Sequence, residues 1–304
     1  MNRRHLSSFA SLFVGLTLLA PLALRAQAPP DFSKVEIKTT KLADNFYVLE
    51  GQGGAIGVLP GPDGVFMVDS QFAPLSEKIA AAIKQISDKP IKFMVNTHVH
   101  GDHTGGNENF GKMGVTILAR PELRNRLEHP SPGANGQPGV PTPPAGLPVI
   151  TYDAPLTLQL NGEEIHLIPA QKAHTDGDTF VQFVKANVIM TGDFYRSIQF
   201  PNIDRTNGGS LPGLIAALDA VIKTAGPATK IVPGHGPVVD VAAVKAHRDM
   251  VIAIRDKVAK LVKEGKTQEQ VVAAKPTADY DAKVQQPGTT ADRFVGQLYA
   301  ELKK

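Results

Sequence analysis

Short apolar runs broken by glycine fill the first part of the chain. Residues 35–42, 45–50, 55–59 and 64–70 are rich in β-forming residues, and Gly51, Gly53-Gly54 and Asp63-Gly64 separate them. Runs of that length with that punctuation predict strands joined by hairpin turns. The period then lengthens. Ile79, Ile83 and Ile86 fall at helical spacing, which predicts an amphipathic helix over Ser76–Ile86. A short apolar strand is expected at 91–96. The same grammar returns later, with strands expected at 156–160, 164–169, 179–184, 188–191 and 229–232. Helices are expected at 211–224, where Pro212 is tolerated in the first turn, at 241–264 and at 293–302. Strand–helix order thus occurs in both halves, as in two layered half-sandwiches. One domain with helices packed on sheets is the expected architecture.

Between residues 130 and 148 the pattern stops. Seven prolines and four glycines in nineteen positions cannot propagate helix or sheet. A loop of this length reads either as a connector or as a lid or binding loop over a site.

The 304-residue chain is 42% hydrophobic and 20% charged, an ordinary globular balance that argues against disorder. Its N-terminus departs from that balance. Arg3 and Arg4 precede an apolar run over 9–24, and Ala26-Gln27-Ala28 offers a small-x-small cleavage site. That order predicts a signal peptide over 1–28. A membrane anchor is the alternative, but the run is short of the ~20 residues needed to span and Pro21 interrupts it. Arg3-Arg4 also fits, in part, the twin-arginine route for folded proteins. Residues 29–304 are therefore expected as a single mature domain without a membrane anchor, in a bacterial periplasm or outside the cell. Lys+Arg number 32 and Asp+Glu 29; Arg3, Arg4 and Arg25 leave with the signal, so the mature count is balanced. A neutral chain gives no electrostatic reason to expect nucleic acid, and a small-molecule substrate is the expected partner. Cysteine is absent, which excludes disulfides, cysteine nucleophiles, iron–sulfur clusters and thiolate zinc sites.

Histidine and carboxylate remain as metal chemistry. The segment Thr97-His98-Val99-His100-Gly101-Asp102-His103 places three imidazoles and one carboxylate within six positions, directly after an expected strand. In an extended stretch His98 and His100 point the same way. Asp102 and His103 then need a turn to face a second centre, and Gly101 supplies the backbone freedom for one. Imidazole and carboxylate are the ligands zinc takes when thiolate is absent. Three further polar residues stand at strand ends: His174 before Thr175-Asp176-Gly177-Asp178, Asp193 in Thr191-Gly192-Asp193, and His235 in Pro233-Gly234-His235-Gly236. Such positions are where a rigid scaffold carries functional groups. His129, His166 and His247 stand alone and read as structural or solvated.

Read in order, His-x-His-x-Asp-His, then His, Asp and His, this constellation resembles the metallo-β-lactamase superfamily. Asp69 in Val68-Asp69-Ser70 fits the family's upstream acidic position. The resemblance implies an α/β fold, a four-layer αββα sandwich with a two-metal site at one edge. It also implies a ligand set: His98, His100 and His174 for one zinc, Asp102, His103 and His235 for the other, with Asp193 bridging. Asp69 is a candidate to orient a ligand imidazole, and Tyr195 and Arg196 are candidates for a substrate oxyanion or carboxylate. Asp102 is the candidate catalytic residue, orienting the attacking oxygen.

The chemistry this implies is hydrolysis of an amide, ester or thioester by a zinc-acidified water. A β-lactam is the leading candidate substrate, since export and His103 resemble the β-lactamase subclass without a ligand cysteine. A bridging Asp is more typical of lactonases and glyoxalase-type thioesterases, which form the alternative. Histidine and carboxylate also suit iron, and an iron-dependent persulfide dioxygenase is a further alternative.

Overall fold

The computed structural model describes residues 31–132, 136–284 and 289–303. The signal peptide expected over 1–28 lies outside the described residues. Residues Phe32–Lys304 form one compact unit.

Two mixed sheets carry the fold. The first has seven strands in chain order: β1 Lys38–Ala43, β2 Phe46–Glu50, β3 Ile56–Leu59, β4 Val65–Val68, β5 Ile91–Val95, β6 Thr116–Ala119 and β7 Ile150–Thr151. Its hairpin half, β1 to β4, is antiparallel, as the glycine punctuation requires, and β4 to β7 run parallel. The second sheet is built from β8 Leu156–Leu160, β9 Glu163–Pro169, β10 Thr179–Phe183, β11 Val188–Met190 and β12 Lys230–Val232, ordered 12-11-10-9-8. Only its β11–β12 pair is parallel.

Side-chain alternation explains the layering. Phe66 and Val68 of β4 face Val181 and Phe183 of β10 between the sheets, in a core that also holds Phe46, Leu118, Val188 and Val232. Val65 and Met67, one position out of phase, turn to the outside and are covered by Ile79 and Ile83 of helix α1, Ser76–Ile86. On the second sheet Phe180, Ile189 and Ile231 point outward. They meet α5 Leu211–Thr224, α6 Val241–Lys263 and α8 Ala291–Leu302. Each sheet is apolar on both faces, so each needs a helical cover, and the result is an αββα sandwich.

Several elements are not evident from apolar spacing. They are α2 Gly101–Thr104, α3 Asn107–Lys112, β6, α4 Pro121–Glu128, β7 and α7 Gln268–Ala273. All are short, and α4 buries only Leu123 and Leu127. The first strand also begins later than expected, at Lys38, with a 3₁₀ turn at Phe32–Lys34 ahead of it. Within the 130–148 loop, Pro144–Gly146 is a 3₁₀ turn seated on α3, and Gly146 O accepts a hydrogen bond from Asn107 Nδ2 at 3.2 Å.

Candidate metal centre

The residues singled out in the sequence leave the ends of strands at one edge of both sheets. Asp69 follows β4, His98 follows β5, Asp193 follows β11 and His235 follows β12. Backbone hydrogen bonds tie the two edges together: Thr179 N donates to Thr97 O and Ala55 N to Gly234 O, while Gly54 N donates to Asp102 O within the first half. His100 lies on extended backbone, at φ −65 and ψ 148, just after a bend over residues 97–99 that carries His98. Gly101 then opens the helical turn α2, which swings Asp102 and His103 to the other side. The turn expected at Gly101 is thus present, without a positive φ at that residue. Left-handed backbone occurs instead at Gly192 (φ 58) and, at the cost of strain, at Asp69 (φ 62).

Two groups of donor atoms result. His98, His100, His174 and Asp193 form one, and Asp102, His103, Asp193 and His235 the other. Neighbouring donors on a tetrahedral ion with bonds of about 2.0 Å sit roughly 3.3 Å apart. His174 Nε2 lies 2.9 Å from His100 Nδ1. Asp193 Oδ1 lies 3.2 Å from His103 Nε2 and 3.3 Å from His235 Nε2, which in turn is 3.1 Å from Asp102 Oδ2. His98 Nε2, His103 Nε2 and Asp193 Oδ1 are buried without a hydrogen bond, so the contact between the last two is charge attraction without alignment. Burying such atoms unpaired costs about 1–3 kcal/mol each, and a metal ion is the partner that this donor set fits. Neighbouring glycines leave room for the rings: a Cβ on Gly54 would lie 2.1 Å from His103, and one on Gly234 2.0 Å from Asp193 Oδ1.

The second ring nitrogens of His98, His100, His103 and His174 are engaged. His103 Nδ1 donates to Asp69 Oδ2 at 2.7 Å, and Asp69 also accepts from Thr97 N and Thr97 Oγ1. Thr97 Oγ1 lies 3.1 Å from His98 Nδ1. His174 Nδ1 donates to Asn202 O at 2.6 Å, and His100 Nε2 to Asp204 Oδ2 at 2.7 Å. These contacts fix which nitrogen of each ring faces the cluster, as in ligand imidazoles generally. Asn202 and Asp204 carry no sequence pattern that marks them. Only the glycine pair Gly208-Gly209 behind them signals that the chain turns sharply there.

Charge is distributed unevenly over the cluster. Burial and the neighbouring His103 hold His98 well below the usual histidine range. Burial and His100 likewise push His174 down to about 3. Burial works against charge on His103 too, but Asp193 and Asp69 outweigh it and hold this imidazole well above its ordinary value. His235 is raised as well, because Asp102 and Asp193 overcome its burial. Asp102 is lowered to about 2 despite burial, chiefly by its bond from His235. His98, His103, His174 and Asp193 are almost wholly enclosed, whereas His100, Asp102 and His235 are 25%, 25% and 22% exposed and form the open side.

The other candidates divide between the cluster and the core. Arg196 donates from Nε and Nη2 to Asp193 Oδ2 and from Nη1 to Gln199. Tyr195 turns into the helical core and packs edge-on against His247 at 5.0 Å, away from the open side. Asp178 accepts from the backbone of His174 and Thr175, and Asp176 is paired with Arg126. Both shape the His174 loop.

Residues 43–235 match the description "Metallo-beta-lactamase superfamily". The chain belongs to that superfamily. Solved relatives share its fold: a metallo-β-lactamase from Pontibacter korlensis superposes with a TM-score of 0.59 at 18% identity, over 71% of this chain and 99% of that one. The stereoselective inverting sec-alkylsulfatase of a Pseudomonas species gives 0.64 at 16% identity, over 86% of this chain and 50% of that one. A 54-residue segment is 41% identical to a linear primary-alkylsulfatase of Pseudomonas sp. (strain ATCC 19151). That segment spans 17% of this chain and 10% of the much longer alkylsulfatase.

Proposed function

We propose that this chain is an exported two-zinc hydrolase of small molecules with an amide- or ester-type bond, with β-lactams the first class to test. The observation that carries it is the pair of donor groups meeting at Asp193, three of whose atoms are buried and unpaired. In this reading His98, His100 and His174 hold one ion, Asp102, His103 and His235 the other, and Asp193 both. Bound there, zinc supplies Lewis acidity toward a carbonyl and acidifies a water to a pKa of about 7. The chain supplies the rest. Asp102, ionised and on the open side, would accept a hydrogen bond from an attacking water and so orient it. Arg196 holds Asp193 in place, and the enclosed imidazoles keep bulk water from the floor of the site. A groove of about 360 Å³ beside α2, lined by Val99, Gly101, Thr104 and the loop residues Val140 to Pro143, has the size of a small-molecule cleft. It supports a substrate-binding role for the 130–148 loop.

A sulfate ester is the second reading. The segment 41% identical to a linear primary-alkylsulfatase favours it over other ester classes. Export rests on the N-terminal sequence pattern.

The test is the initial rate of chromogenic cephalosporin hydrolysis by zinc-loaded protein, with His98→Ala as control. An efficiency of about 10⁴ M⁻¹s⁻¹ or more, abolished by the substitution, makes a β-lactam a substrate. No rate above the control rejects the β-lactam and directs the same assay to lactones, thioesters and alkyl sulfates. Iron in the purified protein with oxygen uptake on a persulfide would replace the hydrolase reading.

A further inference from the structure

The acceptors for His174 and His100 both come from one short segment, Asn202 to Asp204. That segment has no regular structure of its own: it follows β11 and precedes a 3₁₀ turn at Arg205–Asn207. A loop without a ladder needs other partners to hold a carbonyl and a carboxylate in register with two rings.

Those partners come from two sides. From below, Asn207 Nδ2 donates to Asp204 Oδ2, and Arg126 of α4 reaches both Asn207 Oδ1 and Thr206 O while forking onto Asp176 of the His174 loop. From the other side comes α8, which lies beyond the 43–235 stretch that matches the superfamily. Gln297 of α8 accepts from Ile203 N at 3.1 Å through Oε1 and donates to Asn202 Oδ1 at 2.8 Å through Nε2. One turn further on, Glu301 pairs with Arg205 at 2.9 Å and accepts from Leu211 N. One amide therefore pins the backbone on the Ile203 side of the carbonyl that takes the His174 proton. The peptide carrying that carbonyl is the peptide whose N–H bonds to Gln297.

We infer that Gln297 is a positioning residue for the proposed first metal site, acting through the Asn202–Ile203 peptide on His174 and through the same segment on His100. The inference rests on the two-metal reading. The C-terminal helix is then part of the centre's architecture as well as a cover for the second sheet. The second site has no comparable dependence, since His103 is held by Asp69 after β4, and His235 by contacts to Asp102 and Asp193. A partner one bond from a ligand imidazole typically affects metal affinity 10- to 100-fold, and Gln297 stands one step further out. Its loss should sit near the lower end of that range.

The experiment is zinc titration of full-length protein against a chromophoric chelator, in a His235→Ala background that isolates the first site and a His98→Ala background that isolates the second. Gln297→Met keeps the length and helix preference of the side chain and removes both hydrogen bonds. Asn202→Ala removes only the acceptor of one of them, in a loop where folding is less exposed to damage. Gln297→Met should weaken first-site zinc about ten-fold and Asn202→Ala by less, since it leaves the Ile203 N bond to Gln297 in place, with no change at the second site in either variant. The two together should cost no more than Gln297→Met alone, because the one contact that Asn202→Ala breaks is already among the two lost with Gln297. Equal losses at both sites, a lowered metal-free midpoint with unchanged first-site affinity, or no loss in either variant would overturn the inference. Failure of the unsubstituted protein to take two zinc ions would instead reject the two-metal reading beneath it.

Discussion

The two donor groups that meet at Asp193 are built from the same residue types and prepared in opposite ways. Around His98 and His174 burial dominates, and the rings are neutral long before any metal arrives. Around His103 and His235 carboxylates dominate, and the rings hold their protons more tightly than free histidine does. One group holds two enclosed, neutral imidazoles; the other is an ion-pair network that a metal must first deprotonate. The difference follows from neighbours. His103 and His235 face the carboxylates of Asp69, Asp102 and Asp193, whereas burial among other imidazoles outweighs Asp193 at His98 and His174. An identical list of ligands thus does not imply identical sites, because metal affinity is a competition with protons.

The largest expected effect breaks the comparison at its shared member. Asp193→Ala should weaken zinc at both groups by more than about 100-fold, beyond the range for outer partners, in equilibrium titrations against a chelator. A loss confined to one group would mean that Asp193 does not bridge. Next come the outer carboxylates, which should separate the groups. Asp204→Asn should cost about 10- to 100-fold in the His98 group, and Asp69→Asn the same in the His103 group. Crossed or equal effects would erase the distinction.

The third prediction uses pH. A ring whose pKa is raised by folding keeps its proton above 6.5, so zinc must displace it through that window. Affinity in the His103 group should climb about ten-fold per pH unit above 6.5, up to the raised value, for each proton displaced. His98 and His174 have lowered values and no proton to lose there, so these two rings should add no such climb to the first group. Parallel pH profiles would contradict the contrast. The smallest effect calibrates it with a buried histidine outside the centre. His247 is pushed by burial down to about 4, and its Nε2 has no partner. Its folded value lies below its unfolded one, so the neutral ring favours folding above pH 6.5, and that contribution is lost as pH falls toward 4. At pH 5.5 the loss is roughly 1 kcal/mol, so His247→Phe should flatten the acid limb of thermal unfolding between pH 6.5 and 5. An unchanged acid limb would remove His247 as its cause.

Much of this was legible in the chain. The αββα order follows from strands apolar on both faces: Phe66 and Val68 had to face one layer while Val65 and Met67 faced another. The donor residues stood out because six positions held four of them. What spacing could not reveal is held by single contacts between distant segments. Asp204 reaches His100 across 104 residues, and Gln297 reaches Asn202 across 95. Neither belongs to a periodic pattern, because a hydrogen bond needs only one residue at the right place. Tyr195 and Arg196 show the converse. Proximity to Asp193 in sequence suggested substrate contact for both, yet adjacent residues in extended chain point to opposite sides, and Tyr195 went to the core.

The central claim is that Asp193 joins two groups into one binuclear centre. Metal content per chain, measured by elemental analysis after equilibration at fixed free zinc, tests it most directly. The account predicts two zinc ions in the unsubstituted protein, one in His235→Ala and close to none in Asp193→Ala. One ion in the unsubstituted protein, or two retained in Asp193→Ala, would contradict it.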